Sequence, residues 1–349
     1  MRVAFDAGPT LDVQTGVGRY ARELGDALEA IGVDVRRYAV ALRGRAGPDI
    51  ARVRVPARAA QWAWRRAGAP AVTRATGPVD VVHATNFVLP ALGSTPGVVT
   101  VHDLSYLRPD AFPGAGRLRE LVPWSLRRAA RVLVPTEAVR AELAAHYGVP
   151  ADRVDVTPEG VSPVFFGATP LSDVQLDGLG LRPPFAVAVG TLEPRKNLAR
   201  LLRAWRAAAL DGWTLALAGP RGWGGDLPET PGVVPIGWVG DATLPGLLAA
   251  AEVFCYVSLY EGFGLPPLEA MAAGTPVLAG RYSAAPEVLG DAAVLVDPLD
   301  EDAIAHDLAA LAGDADRRRA LARAGRARAV GYTWARTALT TLAAYRAAL

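Results

Sequence analysis

Glu261-Gly262-Phe263-Gly264-Leu265-Pro266-Pro267-Leu268-Glu269-Ala270 follows the apolar run Val253-Phe254-Cys255-Tyr256-Val257 and leads into Met271-Ala272-Ala273-Gly274. The order is that of a buried strand, a glycine-rich loop and a short helix ended by glycine. Proline suits a first helical turn, where its missing N–H costs nothing. The Gly-x-Gly run before it lets backbone amides approach a ligand at a helix N-terminus, a ready anion site. Glu261 precedes the loop and Glu269 is expected in the helix's first turn, so two carboxylates can address two parts of one long ligand. A capped turn in which Glu269 complements the helix dipole would account for Glu269 but leaves Glu261 without a task.

The same strand–loop–helix order recurs along the chain. Short Val-rich runs at 2–6, 79–83, 97–102 and 131–134 read as strands in the first half, and 185–190, 213–218, 253–257, 276–279 and 293–297 in the second. Several are apolar throughout, as parallel strands covered by helices on both faces must be. Between the two series lies 157–184, rich in Pro and Gly, which reads as a hinge. The expected fold is α/β, with two Rossmann-like doubly wound domains facing across a cleft and ligands at the strands' C-terminal ends. The length of 349 residues also favours two domains. From the residues alone, the segment 333–349 is a helix N-capped by Thr333 that either finishes the second domain or crosses back to the first.

Composition narrows the function. A net charge of +2, with arginines interleaved with acids, does not suggest a nucleic-acid partner. The single cysteine, Cys255, lies in an apolar run and reads as a buried, inert thiol; no disulfide, metal site or cofactor is expected. Met1-Arg2 leads straight into a strand rather than a signal peptide, which makes the cytoplasm the default location. Lys196 is the one lysine among 37 basic residues. It sits beside Arg195 in Gly190-Thr191-Leu192-Glu193-Pro194-Arg195-Lys196-Asn197, at the end of a strand. A compact ammonium next to a guanidinium fork suits a ligand with several negative oxygens.

Two lookalikes fall away. Gly16-Val17-Gly18-Arg19-Tyr20-Ala21 matches a dinucleotide fingerprint, with Asp34 further on, but nine residues separate it from the first strand where a tight turn is needed. Asp314-Ala315-Asp316 reads as a helix start, not a metal-binding D-x-D. His146 and His306 lie in charged helical surroundings and read as solvated.

Glu261 and Glu269, in the setting Glu-Gly-Phe-Gly-Leu-Pro, resemble the E-x7-E motif of retaining GT-B glycosyltransferases of the family-4 type. Val189 through Leu198 is similar to that family's phosphate-gripping segment, and Pro286 through Ala293 to the stretch that follows. Thr15 through Tyr20 and Val101 through Leu107 resemble N-terminal segments of its mannosyltransferase-like branch. Two departures stand out: Val134-Pro135-Thr136-Glu137 where a Ser-Glu pair is usual, and Glu159 in Pro158-Glu159-Gly160 where Asn is usual.

The resemblance implies an N-terminal acceptor domain over 1–165, with the helix 333–349 packing back on it, and a nucleotide-sugar domain over 166–332. Glu269 would bind the ribose hydroxyls. Glu261, with the amides of Gly262, Phe263 and Gly264 and the neighbouring Leu265, would hold the sugar and nearby phosphate. Arg195 and Lys196 would neutralise the departing diphosphate above Gly190, without a metal. Gly16 and Gly18 would form a loop approaching from the other domain. His102 would lie beneath the transferred sugar and donate to a hydroxyl or aid charge development. Apart from the resemblance, His83 in Val81-Val82-His83-Ala84 ends a strand and is either an acceptor-side residue or a satisfied structural histidine, and Asp103 is placed on the acceptor side. The reaction implied is retaining transfer of a hexose or deoxyhexose, mannose first, from a nucleotide-diphosphate sugar to a glycan or lipid-linked acceptor. Front-face attack would be assisted by the leaving phosphate.

Two other readings use the same residues: a phosphorylase with pyridoxal phosphate on Lys196, or a non-catalytic nucleotide-sugar binding module. Residues 57–76 and 117–131 interleave arginines with Trp62, Trp64 and Trp124. Such faces either rest peripherally on an anionic membrane or are ordinary surface helices with tryptophans in the core.

Overall fold

The computed structural model describes residues 1–11, 16–42, 47–109, 111–281 and 283–349. The chain divides into two compact units, one of Met1–Gly160 with Thr333–Leu349 and the other of Val161–Tyr332. The first holds seven parallel strands: β1 (Arg2–Asp6), β2 (Asp34–Val40), β3 (Ala51–Val53), β4 (Val81–Ala84), β5 (Gly97–Thr100), β6 (Arg131–Val134) and β7 (Val154–Val156). The second holds six: β8 (Phe185–Val189), β9 (Thr214–Ala218), β10 (Val233–Gly237), β11 (Val253–Tyr256), β12 (Val277–Gly280) and β13 (Val294–Val296).

Their orders, β3-β2-β1-β4-β5-β6-β7 and β10-β9-β8-β11-β12-β13, are those of doubly wound sheets. In each, the strand order reverses between two neighbours, β1 and β4 in one unit and β8 and β11 in the other. Loops leaving such a pair diverge and open a crevice at the strands' C-terminal ends.

Alternation along the central strands explains why both faces need cover. Phe185 and Val187 of β8 join Phe254, Tyr256, Leu268 and Met271 on one face. Ala186 and Ala188 turn to the other, with Val253, Cys255, Leu201, Trp205 and Ile304. Burial pushes the Cys255 thiol up to about 12, so it packs as a small hydrophobe.

Four strands lie outside the runs read from sequence: β2, β3, β7 and β10. All are at or next to a sheet edge. An edge strand is half-covered and needs no continuous apolar run; β2 reads Asp-Val-Arg-Arg-Tyr-Ala-Val and β10 carries Pro235.

The division between units also differs from the expected 165/166. Most of the expected hinge lies in the second unit, to whose core it contributes Val161, Phe165, Leu176 and Leu181, buried in one cluster with Phe185. The final helix, Trp334–Ala347, lies in the first unit. Thr333 caps it through Arg336 N, and Trp334, Ala338, Ala344 and Tyr345 pack with Val3, Phe5, Tyr20 and Leu24.

Candidate functional site

In the second unit the loops after β8 and β11 meet at the point of strand reversal. Pro194–Lys196 forms a 3-10 turn whose C-cap, Asn197, adopts a left-handed conformation at φ 58°. Asn197 Nδ2 holds that geometry by donating to the carbonyls of Val257 (3.1 Å) and Pro298 (2.6 Å). The turn presents Arg195 and Lys196 to the loop after β11. Arg195 Nη1 donates to the Tyr260 carbonyl (2.8 Å) and to Glu261 Oε2, and Nη2 donates to Glu193 Oε1 (2.6 Å). Lys196 Nζ donates to Glu261 Oε1 (2.7 Å) and to the Tyr256 hydroxyl (2.8 Å), and it stands 4.6 Å from the centre of the Tyr256 ring.

Burial by itself would push the Glu261 carboxyl up. Arg195 and Lys196 outweigh it and bring the group down to about 2. Lys196 is lowered from its ordinary value, first by burial and then by Arg195, against the pull of Glu261. Its ammonium has three N–H bonds; two are spent, leaving one for a ligand.

Two glycines seat this lysine. Gly190, at φ 148°, passes so close that a Cβ there would meet Lys196 Cε at 3.1 Å. A Cβ on Gly219 would lie 2.0 Å from the Gly190 carbonyl oxygen.

The loop Glu261–Gly264 is shaped by Gly264, the left-handed N-cap (φ 98°) of the helix Leu265–Ala273. Ser283 Oγ donates to the Glu261 carbonyl. The Phe263 ring is buried edge-on to Tyr332, 5.8 Å between centroids, and Leu265 is buried too, so their side chains serve packing. Glu269 is a fully buried carboxylate. It is the fifth residue of its helix rather than part of the first turn, because the helix begins only after Gly264.

In the first unit the structure corrects several expectations. His83 is completely buried, with Nδ1 2.6 Å from the Tyr345 hydroxyl and Nε2 2.8 Å from Thr100 Oγ1. Burial, reinforced by His102, lowers it to about 3. Of the two readings of His83, both ring nitrogens being held by side chains of the same unit matches the structural one. Asp103 Oδ1 accepts from the Ser105 amide (2.9 Å) and hydroxyl (2.7 Å) and fixes the turn there. Gly16 and Gly18 belong to the first turn of the helix Gly16–Ala30, not to a loop; Thr15 lies outside the described residues.

His102 follows β5. Its Nε2 donates to the Thr85 carbonyl at 2.8 Å and its Nδ1 faces Glu159 Oε1 at 3.4 Å. Asp314 caps the helix Ala315–Ala329 through the Arg317 amide (2.8 Å).

Sequence reading missed Glu193, Tyr256 and Glu159 as partners of Arg195, Lys196 and His102. Glu193 stood two residues away and was legible as a counter-charge. Tyr256, on the face of β11 shared with Phe254, was read only as a strand residue. Glu159 was seen as a departure, with no sign of what it faces.

The family model for glycosyl transferases group 1 matches residues 183–314, and that for glycosyltransferase family 4 matches residues 14–165. The chain is 35% identical over 287 residues to O-antigen chain mannosyltransferase B of Escherichia coli, covering 76% of this chain and 74% of that one. It is 30% identical over a 383-residue alignment to D-inositol 3-phosphate glycosyltransferase of Kribbella flavida, covering 97% and 87%. Among solved structures, sucrose-phosphate synthase from Thermosynechococcus elongatus matches with a TM-score of 0.78 at 22% identity, over 99% of this chain and 98% of that one, a likeness of fold. Two doubly wound parallel sheets, joined to a family match in each half, make this chain a member of the group 1 and family 4 glycosyltransferases.

Proposed function

We propose that this glycosyltransferase moves mannose from a nucleotide-diphosphate sugar, bound by the second unit, to a glycan or lipid-linked acceptor bound by the first. The observation that carries the reading is Glu261 bridging Arg195 and Lys196 at the strand-reversal point, the position where a doubly wound sheet binds its ligand. Mannose is favoured by the E. coli relative, named for mannosyl transfer to O-antigen.

Breaking the anomeric bond puts negative charge on the diphosphate. Arg195 and the remaining N–H of Lys196 meet it as preorganised donors, a task that needs no metal; losing one such donor costs about 3–4 kcal/mol. Glu261 and the amides of the Gly262–Gly264 loop take the sugar, and Glu269 takes the ribose. Glu261 is not aimed as a nucleophile, since both its oxygens are held by cations. Retention then follows from front-face attack, with the leaving phosphate accepting the acceptor's proton. A Lys196 ammonium held by Glu261 and Tyr256 speaks against an imine with pyridoxal phosphate.

An acceptor on a lipid carrier would suit the helix Ala57–Ala67. Trp62 is 65% exposed there, with Arg58, Arg65 and Arg66 on the same helix, and the face suits peripheral contact with an anionic membrane. Among the described residues, no helix is long and apolar enough to cross one.

A thermal-shift panel of UDP, GDP, dTDP and ADP sugars identifies the base. Transfer in the presence of a chelator, with NMR of the product's anomeric configuration, tests metal independence and retention. Glu269→Ala and Lys196→Ala should abolish release of the nucleoside diphosphate; full turnover in both would sink the reading.

A further inference from the structure

A site for an anion gains nothing by burying carboxylates, yet this one sets two among its cations. Glu261 holds both cations in place. Glu193 is the N-cap of the turn Pro194–Lys196, and its main-chain carbonyl accepts from the Lys196 amide at 3.0 Å. Its carboxylate makes no capping bond to that turn. It meets Arg195 instead, whose Nη2 donates to Oε1 at 2.6 Å, and among the described residues it has no other hydrogen-bond partner.

Arg195 does not need this second acid to be held, because its Nη1 already donates to the Tyr260 carbonyl (2.8 Å) and to Glu261. What Glu193 adds is charge. Arg195 and Lys196 against Glu261 alone would leave one positive charge over; with Glu193, two cations meet two anions and the sum is zero. None of the four side chains is more than 20% exposed, so solvent and salt screen them weakly. Glu193 also acts on Lys196, favouring its ammonium together with Glu261 against burial and Arg195.

The ligand's own charge changes during transfer. When the anomeric C–O bond breaks, the electron pair stays with the diphosphate, which leaves with one more negative charge than it had in the sugar nucleotide. A clamp with a surplus cation would hold that product more tightly than the donor, and turnover would wait on its release. We propose that Glu193 is a positioning residue that acts through Arg195 and brings the clamp to neutrality, so that the nucleoside diphosphate is gripped by directed hydrogen bonds and let go after transfer. This rests on the reading of the second unit as the donor's, and deepens it by assigning the residue that sets how tightly the product is held.

The test titrates GDP, UDP, dTDP and ADP into the intact protein by calorimetry, the tightest serving as the probe. In the parent, affinity for the probe should fall less than about fivefold between about 0.05 and 0.5 M NaCl. A steeper fall marks a surplus cation and overturns the proposal without any variant. Glu193→Gln keeps the shape and leaves an oxygen for Arg195. It should bind the probe at least about fivefold more tightly than the parent at low salt, with a smaller gain at high salt. Inhibition of transfer by the same diphosphate should strengthen in parallel. Glu193→Asp, which keeps the charge, should stay within about twofold of the parent. A gain in affinity is a result that a merely structural acid cannot give, since loosening Arg195 would weaken the probe. Unchanged or weaker binding by Glu193→Gln overturns the proposal and leaves the donor reading standing. If the parent binds none of the four, the donor reading fails and takes the role of Glu193 with it.

Discussion

Lys196 Nζ and Glu261 Oε1 are 2.7 Å apart, and the other oxygen of the same carboxylate takes Arg195. One anion thus holds two different cations in fixed places. The lysine is set over the Tyr256 ring with its stem against Gly190, a slot for a narrow chain rather than a planar fork.

Lys196→Arg should therefore keep the charge and lose the activity. A guanidinium has to displace Tyr256 or Gly190, and the misplaced donor should cost about 100-fold in kcat. Release of nucleoside diphosphate measures this; a variant within a few-fold of the parent would mean that charge alone suffices.

Glu261 makes the fold sensitive to acid. Its carboxyl is lowered from 4.5 to about 2 on folding, so its stabilisation is complete above about pH 4.5 and is lost as pH falls toward about 2. Glu261→Gln leaves two partly buried cations without an anion and should cost about 3 kcal/mol at pH 7. Urea unfolding of both proteins should show the gap narrowing on acidification; a gap independent of pH contradicts the assignment.

Asp6 works in the opposite sense. Burial raises its carboxyl to about 6, against the amide of Gly8 that donates to it at 2.8 Å. A folded value above the unfolded one favours folding at low pH, and that advantage disappears as pH rises through about 6. Asp6→Asn can still accept from Gly8 and avoids the buried charge, so it should gain up to about 3 kcal/mol at pH 7.5. Near pH 4 it should gain nothing. A melting-temperature series over pH decides this, and an equal gain at both ends counts against the buried charge as its cause.

Gly160→Ala should loosen the final helix, since its Cβ would lie 2.3 Å from Trp334 N and 2.6 Å from Thr333 C, both backbone atoms. We expect a loss of at least about 2 kcal/mol by urea midpoint. Gly167→Ala, where nothing lies within 4 Å, serves as the control and should be near neutral.

The sequence alone determined the fold class and the site's principal loops. Central parallel strands are covered on both faces, so β8 and β11 are apolar throughout, β1 and β6 are apolar but for a charged residue at an end, and all four stand out as runs. The loops after β8 and β11 need Gly190, Gly264 and Pro266 for backbone reasons, and such residues punctuate a sequence visibly. The edge strands β3, β7 and β10, and β2 beside an edge, escaped because they carry no continuous apolar run.

Only the tertiary structure decided where the final helix packs and which groups face each other. Tyr256 is 60 residues from Lys196, and Tyr345 is 262 from His83. The final helix has an apolar stripe that either unit might have covered; the groove beside Tyr20 and Leu24 took it. Periodicity records that a face is buried, but the partner that buries it is a matter of packing between distant segments.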